Sequence, residues 1–308
     1  MNAASGSPGD AGVLCLGEAI VDLVCEREIE SFAAADCFRS HLGGALANVA
    51  VACRRAGAEA ALIGGAGDDP WGRWLRDALA NEGVGVRWFG LAPGAPTAIA
   101  LVTFDGGGEP AFQVYGEGIG AAMELATDWL EPAAAAGSAL VFGSNTLVSE
   151  PERSLTLRAR RLALEAGLPV LFDPNLRPTR WAELDAALRA CRELADGAFC
   201  VRANREEARL LTGEDEPGAA AEALCGLGAH LAVVTLGPDG ALVRGAASGE
   251  APGLEVEVVS TLGAGDAFMG ALAARLAQLG WDSARAGEAL PAAIEASAAA
   301  CTIWGAWA

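Results

Sequence analysis

The sequence contains no lysine, and all 21 residues counted as lysine or arginine are arginines. This absence excludes the phosphate-binding lysine of P-loop enzymes, the ATP-binding lysine of protein kinases and any mechanism that needs a lysine Schiff base. Histidine is also scarce, with only His41 and His230 present. A histidine-rich metal site is therefore not expected, and a Ser-His-Asp triad would have few bases to choose from.

The eight cysteines include no CxxC pair, and most of them lie in apolar stretches. This pattern indicates buried thiols in a reducing cytoplasm rather than disulfides. The first residues are small and polar and lack the features of a signal peptide, so we expect residues 1–11 to form a loose tail. No run of 18 apolar residues avoids charge. A membrane span is therefore not expected, and we predict a soluble, cytoplasmic protein.

Basic charge is in short supply, because 40 acidic residues against 21 basic ones give a net charge of −19 at pH 7. Such a surface repels phosphate backbones and anionic lipids, so neither nucleic acid nor a membrane is an expected partner. A nucleotide can bind only where local backbone dipoles overcome this field. The 308-residue chain is 52% hydrophobic, which is enough for a sizeable core in one large domain.

Short apolar runs alternate with amphipathic stretches along almost the whole chain. The alternation predicts an α/β fold with a mostly parallel central sheet and helices on both faces, in one domain over residues 12–308. Strands are predicted at Val13–Leu16, Ala60–Ile63, Ala139–Phe142, Pro169–Phe172, Ala198–Val201, Leu231–Thr235 and Leu254–Val259. Helices are predicted at Ala45–Ala56, Trp71–Glu82, Pro151–Ala166, Ala182–Leu194, Arg205–Leu211, Ala219–Leu227 and Ala267–Leu279.

The segment Thr97–Tyr115 has a different pattern, with alternating residues on both sides of a turn at Gly106–Gly108. This predicts a β-hairpin without a crossover helix, in a small sheet with the segment around Leu23–Phe38. Segments 22–40 and 95–117 would then form a discontinuous lid. Because a lone hairpin is marginal in water, one of its faces should close on a ligand or on another subunit. Open, it would add apolar surface at Phe104, Phe112 and Val114.

The strongest chemical signal lies in Ser260–Phe268, where Gly263, Ala264 and Gly265 precede Asp266 at the start of a helix. Small residues there let backbone N–H groups converge on an anion, aided by the helix dipole. In a chain without lysine this is the best phosphate site, and Asp266 beside it can accept the proton of an attacking hydroxyl. An acid in a first turn is equally a common stabilising residue. Phe268 at the sixth position counts against the GxGxxG of dinucleotide folds.

A second glycine pair, Gly43-Gly44, opens another predicted helix with Asn48 in its first turns. Paired glycines let a ligand approach the backbone, and the Asn48 amide can bind hydroxyl groups. A Gly-Gly turn before a helix can also be purely structural. Asp22 follows a strand and would be half-buried without a reason; chelation of two vicinal hydroxyls would supply one.

Three further segments follow strands, at the edge where ligands gather in parallel sheets. They are Asp173–Arg177, the pair Asn204 and Glu207, and the turn Thr235–Gly240. Asn204 and Glu207 lie one helical turn apart. They either cap the helix reciprocally or, through Glu207, hold the water shell of Mg²⁺.

The order of these segments resembles that of the ribokinase-like (PfkB) sugar kinases over nearly the whole chain, from Asp22 to Ala306. The matching blocks are Gly-Gly-x-x-Ala-Asn, a Gly-Asp-Asp turn, Asp-Pro-Asn-x-Arg, Asn-x-x-Glu, Thr-x-Gly-x-x-Gly and Gly-Ala-Gly-Asp. The resemblance implies a ribokinase-like fold with a small β-sheet lid. It also implies phosphoryl transfer from ATP, with Mg²⁺, to a primary hydroxyl of a sugar.

The resemblance also implies a role for each candidate residue. Asp266 would be the general base, and the amides of Gly263, Ala264 and Gly265 would form the anion hole. The sugar would be held by Asp22, Gly43, Gly44, Asn48 and Arg177. ATP would be bound by Asn204, Thr235, Gly237, Gly240 and Ser297, with Mg²⁺ held by Glu207 through water. A homodimer through the lid is a further expectation, which comes from the apolar residues of the hairpin and not from the resemblance.

Two positions depart from the family. Members usually have Asp-Thr-Thr before Gly-Ala-Gly-Asp, and that aspartate often helps to bind a monovalent cation. Ser260 stands there instead, so activation by potassium is in doubt. Ser297 takes the place of the asparagine that many members have beside the adenine, so the adenine pocket is expected to differ slightly.

Within the family, Asp173–Arg177 and Asn204–Ala208 are most similar to fructokinases and 2-keto-3-deoxygluconate kinases. The latter usually carry a Tyr-x-Arg element that meets the acid's carboxylate, whereas this chain has Tyr115-Gly116-Glu117. A neutral ketose such as fructose is therefore predicted. 2-Keto-3-deoxygluconate kinase, or another sugar or nucleoside kinase, is the alternative. A non-catalytic sugar- or nucleotide-binding protein is the alternative from another class, although a binder has no need of Asp266.

Overall fold

Nine strands form the central sheet of the computed structural model, which describes residues 12–29, 32–104, 108–116 and 118–307. Eight neighbouring pairs make up the sheet; those of β11 with β12 and of β12 with β13 are antiparallel, and the other six are parallel. In spatial order the strands are β13 (Gly249–Ala251), β12 (Ala241–Gly245), β11 (Leu231–Thr235), β10 (Cys200–Asn204), β9 (Val170–Asp173), β8 (Ala139–Gly143), β1 (Val13–Glu18), β4 (Ala60–Gly67) and β5 (Phe89–Ala92).

Ten helices cover the two faces of this sheet in the part of the chain that the structure describes. One face packs against α1 (Ala45–Arg55), α2 (Pro70–Asn81), α9 (Ala264–Gln278) and α10 (Leu290–Ala300). The other packs against α3 (Gly118–Glu124), α4 (Leu130–Ala136), α5 (Glu152–Glu165), α6 (Leu184–Ala195), α7 (Arg205–Thr212) and α8 (Pro217–Gly226). None of these helices is long and apolar enough to cross a bilayer.

Strand β1 shows why the chain folds this way. Val13 and Cys15 point into one core and Leu14 and Leu16 into the other, and all four are at most 2% exposed. A strand with both faces buried must be apolar without alternation, which is the pattern of parallel strands covered by helices. The predicted α/β fold with a mostly parallel sheet is confirmed.

A separate four-stranded sheet lies outside the main one, in the order β3 (Arg39–Gly43), β2 (Ile20–Glu28), β6 (Ile99–Phe104) and β7 (Pro110–Tyr115). Strands β6 and β7 form the predicted hairpin, and β6 pairs with β2. The predicted small sheet is therefore confirmed. The turn residues Gly106 and Gly107, Glu117 and the predicted tail lie outside the described residues.

One face of the small sheet packs against the main body. Val24, Ala100, Val102 and Phe104 form a buried cluster with Leu262, and the ring of Phe104 lies 4.9 Å from that of Trp304. Beyond β6, the carbonyl of Gly108 accepts a hydrogen bond from the N–H of Thr261 at 3.1 Å. The hairpin thus contacts the segment that leads into the Gly263–Gly265 loop.

The prediction of a strand at Leu254–Val259 is wrong. Strand β13 ends at Ala251, and Leu254 and Val258 are 48% and 51% exposed. Alternation with Glu255 and Glu257 imitates a strand, but Pro252 lacks an N–H and none of the described strands pairs with the segment. The N–H of Val259 donates instead to the carbonyl of Cys301 at 2.8 Å. Elsewhere the boundaries shift, because β10 is Cys200–Asn204 and α9 begins at Ala264. All eight cysteines lie within the described ranges and are free thiols.

Candidate active site

The carboxylate of Asp266 lies in the first turn of α9, where residues from four other elements converge. Its Oδ2 accepts a hydrogen bond from Nδ2 of Asn48 at 2.9 Å. Its Oδ1 accepts a longer one, 3.4 Å, from Nδ2 of Asn175 in the loop after β9. One amide donor comes from α1 and the other from the loop after β9, so two separate parts of the chain orient the carboxylate.

Burial is the main cause that raises the pKa of Asp266 to about 6. The negative charge of Glu18 adds to the increase, whereas the Asn48 hydrogen bond and the charges of Arg177 and Arg202 oppose it. A carboxyl group with this pKa is mostly ionised at neutral pH. Because its pKa lies close to neutral pH, it can also accept and release a proton readily.

Three small residues, Gly263, Ala264 and Gly265, form the start of α9, where the first N–H groups of a helix have no partner within it. The N–H of Ala264 already donates to the carbonyl of Thr261 at 3.3 Å. A Cβ at Gly265 would lie 3.0 Å from Nη1 of Arg202, so a side chain there would force the guanidinium to shift. The loop therefore lies against an arginine.

Arg202 is a residue that the motif analysis missed. It lies in β10, is only 8% exposed, and donates from Nη1 to Oδ2 of Asp173 at 3.1 Å and from Nη2 to Oγ1 of Thr235 at 2.9 Å. Its Nε has no hydrogen-bond partner. The signal in the sequence was an arginine inside an apolar strand, which the predicted strand end at Val201 hid.

Asp22 lies on β2 near Asp266 and is 4% exposed, and its Oδ1 has no hydrogen-bond partner. Burial, followed by the charges of Asp266 and Glu18, raises the pKa of Asp22 to about 7. Gly43 makes room for this carboxylate, since a Cβ at position 43 would lie 2.3 Å from Cγ of Asp22. Gly44 is the N-cap residue of α1, the helix that carries Asn48.

Glu18 is the second residue that the motifs did not reveal. It ends β1, is 5% exposed, and its Oε2 has no hydrogen-bond partner. Burial raises the pKa of Glu18, and the guanidinium groups of Arg180 and Arg177 oppose this. The charges of Glu18 and Asp266 act on the pKa of Asp22, and that of Glu18 acts on the pKa of Asp266, so the three carboxyl groups lie close together. An acid at the end of an apolar run was the available signal.

The loop after β9 supplies the opposite wall. Asn175 adopts a left-handed backbone (φ 39°), and its N–H donates to Oδ1 of Asp173 at 3.1 Å. The guanidinium of Arg177 lies 5.9 Å from the ring centroid of Phe112 on β7. Arg177 therefore bridges the main body and the small sheet beside Asp266, which is where a substrate-binding residue is predicted.

The predicted nucleotide residues lie farther along the sheet edge. Asn204 is the N-cap of α7 and forms a reciprocal capping box with Glu207. The two Glu207 oxygens accept N–H groups of Leu176 and Asn204 at 2.8 and 2.9 Å, so the capping interpretation of this pair is confirmed. Thr235 ends β11, Gly237 and Gly240 flank the following turn, and Ser297 lies half-buried on α10. Their roles in ATP binding remain predictions.

Ser260 is fully buried, and its hydroxyl donates to the carbonyl of Ile303 at 3.0 Å. No carboxylate stands at this position. Among the described residues, no group of three or more His, Cys, Asp or Glu side chains is arranged to hold a metal ion.

The chain is similar to known proteins along nearly its whole length. The model of the pfkB family carbohydrate kinases matches residues 10–306. Fructokinase-1 of Zea mays is 37% identical over 267 residues, which cover 86% of this chain and 82% of the relative. Aminoimidazole riboside kinase from Salmonella enterica, with aminoimidazole riboside and an ATP analog, has a TM-score of 0.81 at 31% identity, over 96% of this chain and 95% of that one. A fructokinase double mutant from Vibrio cholerae O395, bound to fructose, ADP and potassium, has a TM-score of 0.81 at 30% identity, over 97% and 95%.

The fold, the site and these similarities together define an ATP-dependent sugar kinase. The chain belongs to the pfkB family of carbohydrate kinases, as the order of its motifs predicted.

Proposed function

We propose that this kinase is a fructokinase that transfers the γ-phosphoryl group of ATP to a primary hydroxyl of fructose. The observation that carries the proposal is the carboxylate of Asp266, held by two amides beside the glycine loop and facing the unpartnered oxygens of Asp22 and Glu18. Buried carboxylate oxygens need donors, and sugar hydroxyls supply them. The fructokinase relatives favour fructose among the neutral sugars.

The charges around Asp266 favour a neutral acceptor over a sugar acid. Three carboxyl groups lie close together there, on Glu18, Asp22 and Asp266, and burial raises the pKa of each. Another anion would add repulsion in a region where charges are weakly screened. This argument supports the prediction drawn from Glu117, which lies outside the described residues.

In the proposed reaction Asp266 orients the attacking hydroxyl and takes its proton as the new O–P bond forms. Asn48 and Asn175 keep the carboxylate facing the acceptor, so no reorganisation is needed at the moment of transfer. General-base help of this kind contributes roughly 10²–10⁴-fold.

On the other side of the transferred group, the amides of Gly263, Ala264 and Gly265 are proposed to bind the phosphoryl oxygens. The Ala264 N–H must share or release its bond to Thr261 to do so. Arg202 lies directly behind Gly265 and supplies fixed positive charge there. A chain without lysine thus still offers a cation at the site of charge development.

Magnesium is proposed to enter with the nucleotide. Both Glu207 oxygens already accept backbone N–H groups, so this carboxylate is suited to holding a metal-bound water rather than to coordinating the ion directly. The ion, when bound, neutralises phosphate charge. For the monovalent cation, the bond of the Ser260 hydroxyl to Ile303 supports a site without the anionic ligand of the family, so we propose that potassium adds little.

The small sheet is proposed to act as a lid that excludes water from the acceptor site. Its edge strand β7 exposes Phe112, Val114 and Tyr115 by 42%, 50% and 54%. Because an apolar edge strand invites pairing, we also propose a homodimer through the lid. All eight cysteines are free thiols, which supports the proposal that the protein acts in the cytoplasm.

The test is an acceptor panel with ATP and Mg²⁺, containing fructose, 2-keto-3-deoxygluconate, ribose and nucleosides, with Asp266→Asn as the inactive control. Fructose should give a kcat/KM at least about tenfold above any other acceptor. Preference for the sugar acid or for a nucleoside would overturn the fructose assignment and leave the kinase class intact.

A further inference from the structure

A chain of two hydrogen bonds joins Trp307 to Asp266 through the amide of Asn48. The indole Nε1–H of Trp307 donates to Oδ1 of Asn48 at 3.0 Å. The Nδ2 of the same amide donates to Oδ2 of Asp266 at 2.9 Å. Asn48 is only 3% exposed, so little solvent reaches its amide to replace either partner.

The chemistry of these groups gives the chain a direction. An indole N–H donates and never accepts, so the amide end that faces Trp307 must be the oxygen. The NH₂ end must then face Asp266. A flipped Asn48 would set two donors against each other at Trp307 and leave both unsatisfied in a buried place, which costs about 1–3 kcal/mol for each unsatisfied group.

We propose that Trp307 is a positioning residue for the phosphoryl-transfer site: its Nε1–H locks the Asn48 amide in the orientation that presents NH₂ to the Asp266 carboxylate. The family match ends at residue 306, so Trp307 lies just outside the part of the chain that the family model matches. The inference rests on the proposed role of Asp266 as base.

Packing alone does not hold Trp307 in place. The indole borders a cavity of ≈ 710 Å³ between α1, α2 and β3, and the residue is only partly buried. The guanidinium of Arg55 lies 5.0 Å from its ring centroid. Arg55 is two turns along α1 from Asn48 and is itself paired with Glu82 at 2.8 Å. The indole therefore lies along α1, anchored at one end by a cation–π contact and at the other by the N–H bond.

The lock acts selectively on the protonation state of the base. A proton on Oδ2 of Asp266 would need an acceptor on Asn48, which Trp307 denies it, and a proton on Oδ1 would meet the Nδ2 donor of Asn175. The ionised carboxylate finds a donor at once. Other charged or titratable groups that face Asp266 set the rest of its environment, and they are Arg177, Arg202, Glu18, Asp22 and Asp173.

The test replaces Trp307→Phe, which keeps an aromatic ring over Arg55 and removes only the N–H. The matched control is Trp74→Phe, because Trp74 lines the same cavity, packs edge-on against Trp71 and donates to no part of the Asn48 amide. Two readouts are the pH dependence of kcat and the ¹³C titration of the Asp266 carboxyl, assigned by its loss in Asp266→Asn. The titration needs no substrate, so it decides the role of Trp307 even if fructose is not the acceptor.

In Trp307→Phe the freed amide can turn and accept from a protonated base. The acid limb and the titration midpoint should then move up by about half a pH unit to one unit, which lowers kcat about two- to fivefold at pH 6 and leaves it almost unchanged at pH 8. Trp74→Phe should leave both curves in place. In an Asn48→Ala background the Trp307 change should cause no further shift.

An unchanged midpoint in Trp307→Phe would overturn the proposal. A shift that persists in the Asn48→Ala background would do the same, because Trp307 would then act by another route. Loss of kcat by an equal factor at every pH would show a structural role only. Thermal melts of each variant verify that the protein tested is folded.

Discussion

Arg202 and Asp173 form an ion pair inside the protein, with Nη1 of the arginine 3.1 Å from Oδ2 of the aspartate and the side chains 9% and 6% exposed. The same guanidinium bonds to Thr235 and lies behind Gly265. Separating the two side chains would leave a buried charge without its partner, which is strongly destabilising. The guanidinium of Arg202 is therefore held in one position. It keeps a positive charge at the loop where phosphate is proposed to bind, in a protein whose net charge is −19.

Replacement of Arg202→Lys should raise KM for ATP and lower kcat/KM by about tenfold or more, because an ammonium cannot bond to Asp173 and Thr235 at once with the fork of a guanidinium. Steady-state kinetics with varied ATP measure this. The control Arg209→Lys alters an exposed pair with Glu206 on α7 and should change neither constant. Wild-type ATP kinetics in Arg202→Lys would contradict the role proposed for this residue.

Replacement of Asp266→Asn should lower kcat by about 10²-fold or more while sugar and ATP binding change little, because the amide keeps the shape and loses the proton acceptor. A coupled assay and calorimetric binding separate the two effects. In the native enzyme kcat should fall as pH drops through about 6, where the pKa of Asp266 lies. Near-normal turnover in a folded variant would rule out Asp266 as the base.

Replacement of Asp22→Asn should weaken sugar binding and yet stabilise the protein at pH 8. Burial raises the pKa of Asp22 from 3.8 to about 7, so stability from its protonated form is full below about pH 4 and is lost as pH rises through about 7. An asparagine does not ionise, so the variant does not lose this stability as pH rises. The shift implies a loss of about 4 kcal/mol at pH 8, from which the cost of burying an unpaired amide, about 1–3 kcal/mol, must be subtracted. The advantage of Asp22→Asn in free energy of unfolding should therefore grow with pH and reach about 2 kcal/mol at pH 8.

Urea unfolding at pH 5 and pH 8 measures the Asp22 effect, and calorimetry measures the sugar affinity. Asp77→Asn on α2 is the control, since it removes one negative charge from an exposed side chain. An equal gain in both variants would show that relief of the overall negative charge, and not burial of Asp22, is responsible.

Activity should require Mg²⁺ and change less than about twofold when K⁺ replaces Na⁺ at equal ionic strength, because the Ser260 hydroxyl supplies no anionic ligand. Ser260→Asp restores the carboxylate usual in the family and should make both stability and activity respond to K⁺. Several-fold stimulation of the native enzyme by K⁺ would show that other oxygens complete a cation site without a carboxylate at this position.

The fold was predictable because both sides of each central strand are apolar, as in Val13–Leu16, and because helical and strand periods alternate. Helix α10 was not predicted, since its alanine-rich sequence packs against the equally apolar α9 and shows no polar stripe. The strand prediction for Leu254–Val259 was wrong because an alternating pattern forms a strand only where a neighbouring strand can pair with it.

The glycine loops and Asp266 were found in the sequence because they form contiguous motifs. The sequence did not reveal three other residues of the site, which are Arg202, Glu18 and Trp307. Each belongs to no recognisable motif, and its role becomes apparent only from the side chains that it contacts in the structure. A single arginine or tryptophan has no spacing to detect. Glu207 shows the converse, as a motif residue whose two oxygens the structure already engages with backbone donors.

The bond from the Thr261 N–H to the Gly108 carbonyl joins the tip of the hairpin to the approach of the phosphate loop. We expect the proposed lid, when it lifts to admit a sugar, to break this bond and to expose Leu262 to water. The Gly263–Gly265 loop would then reach its final shape only after the lid has closed on the acceptor. In that order of events an occupied sugar site becomes the condition for committing ATP, and release of the sugar phosphate waits for the same bond to break.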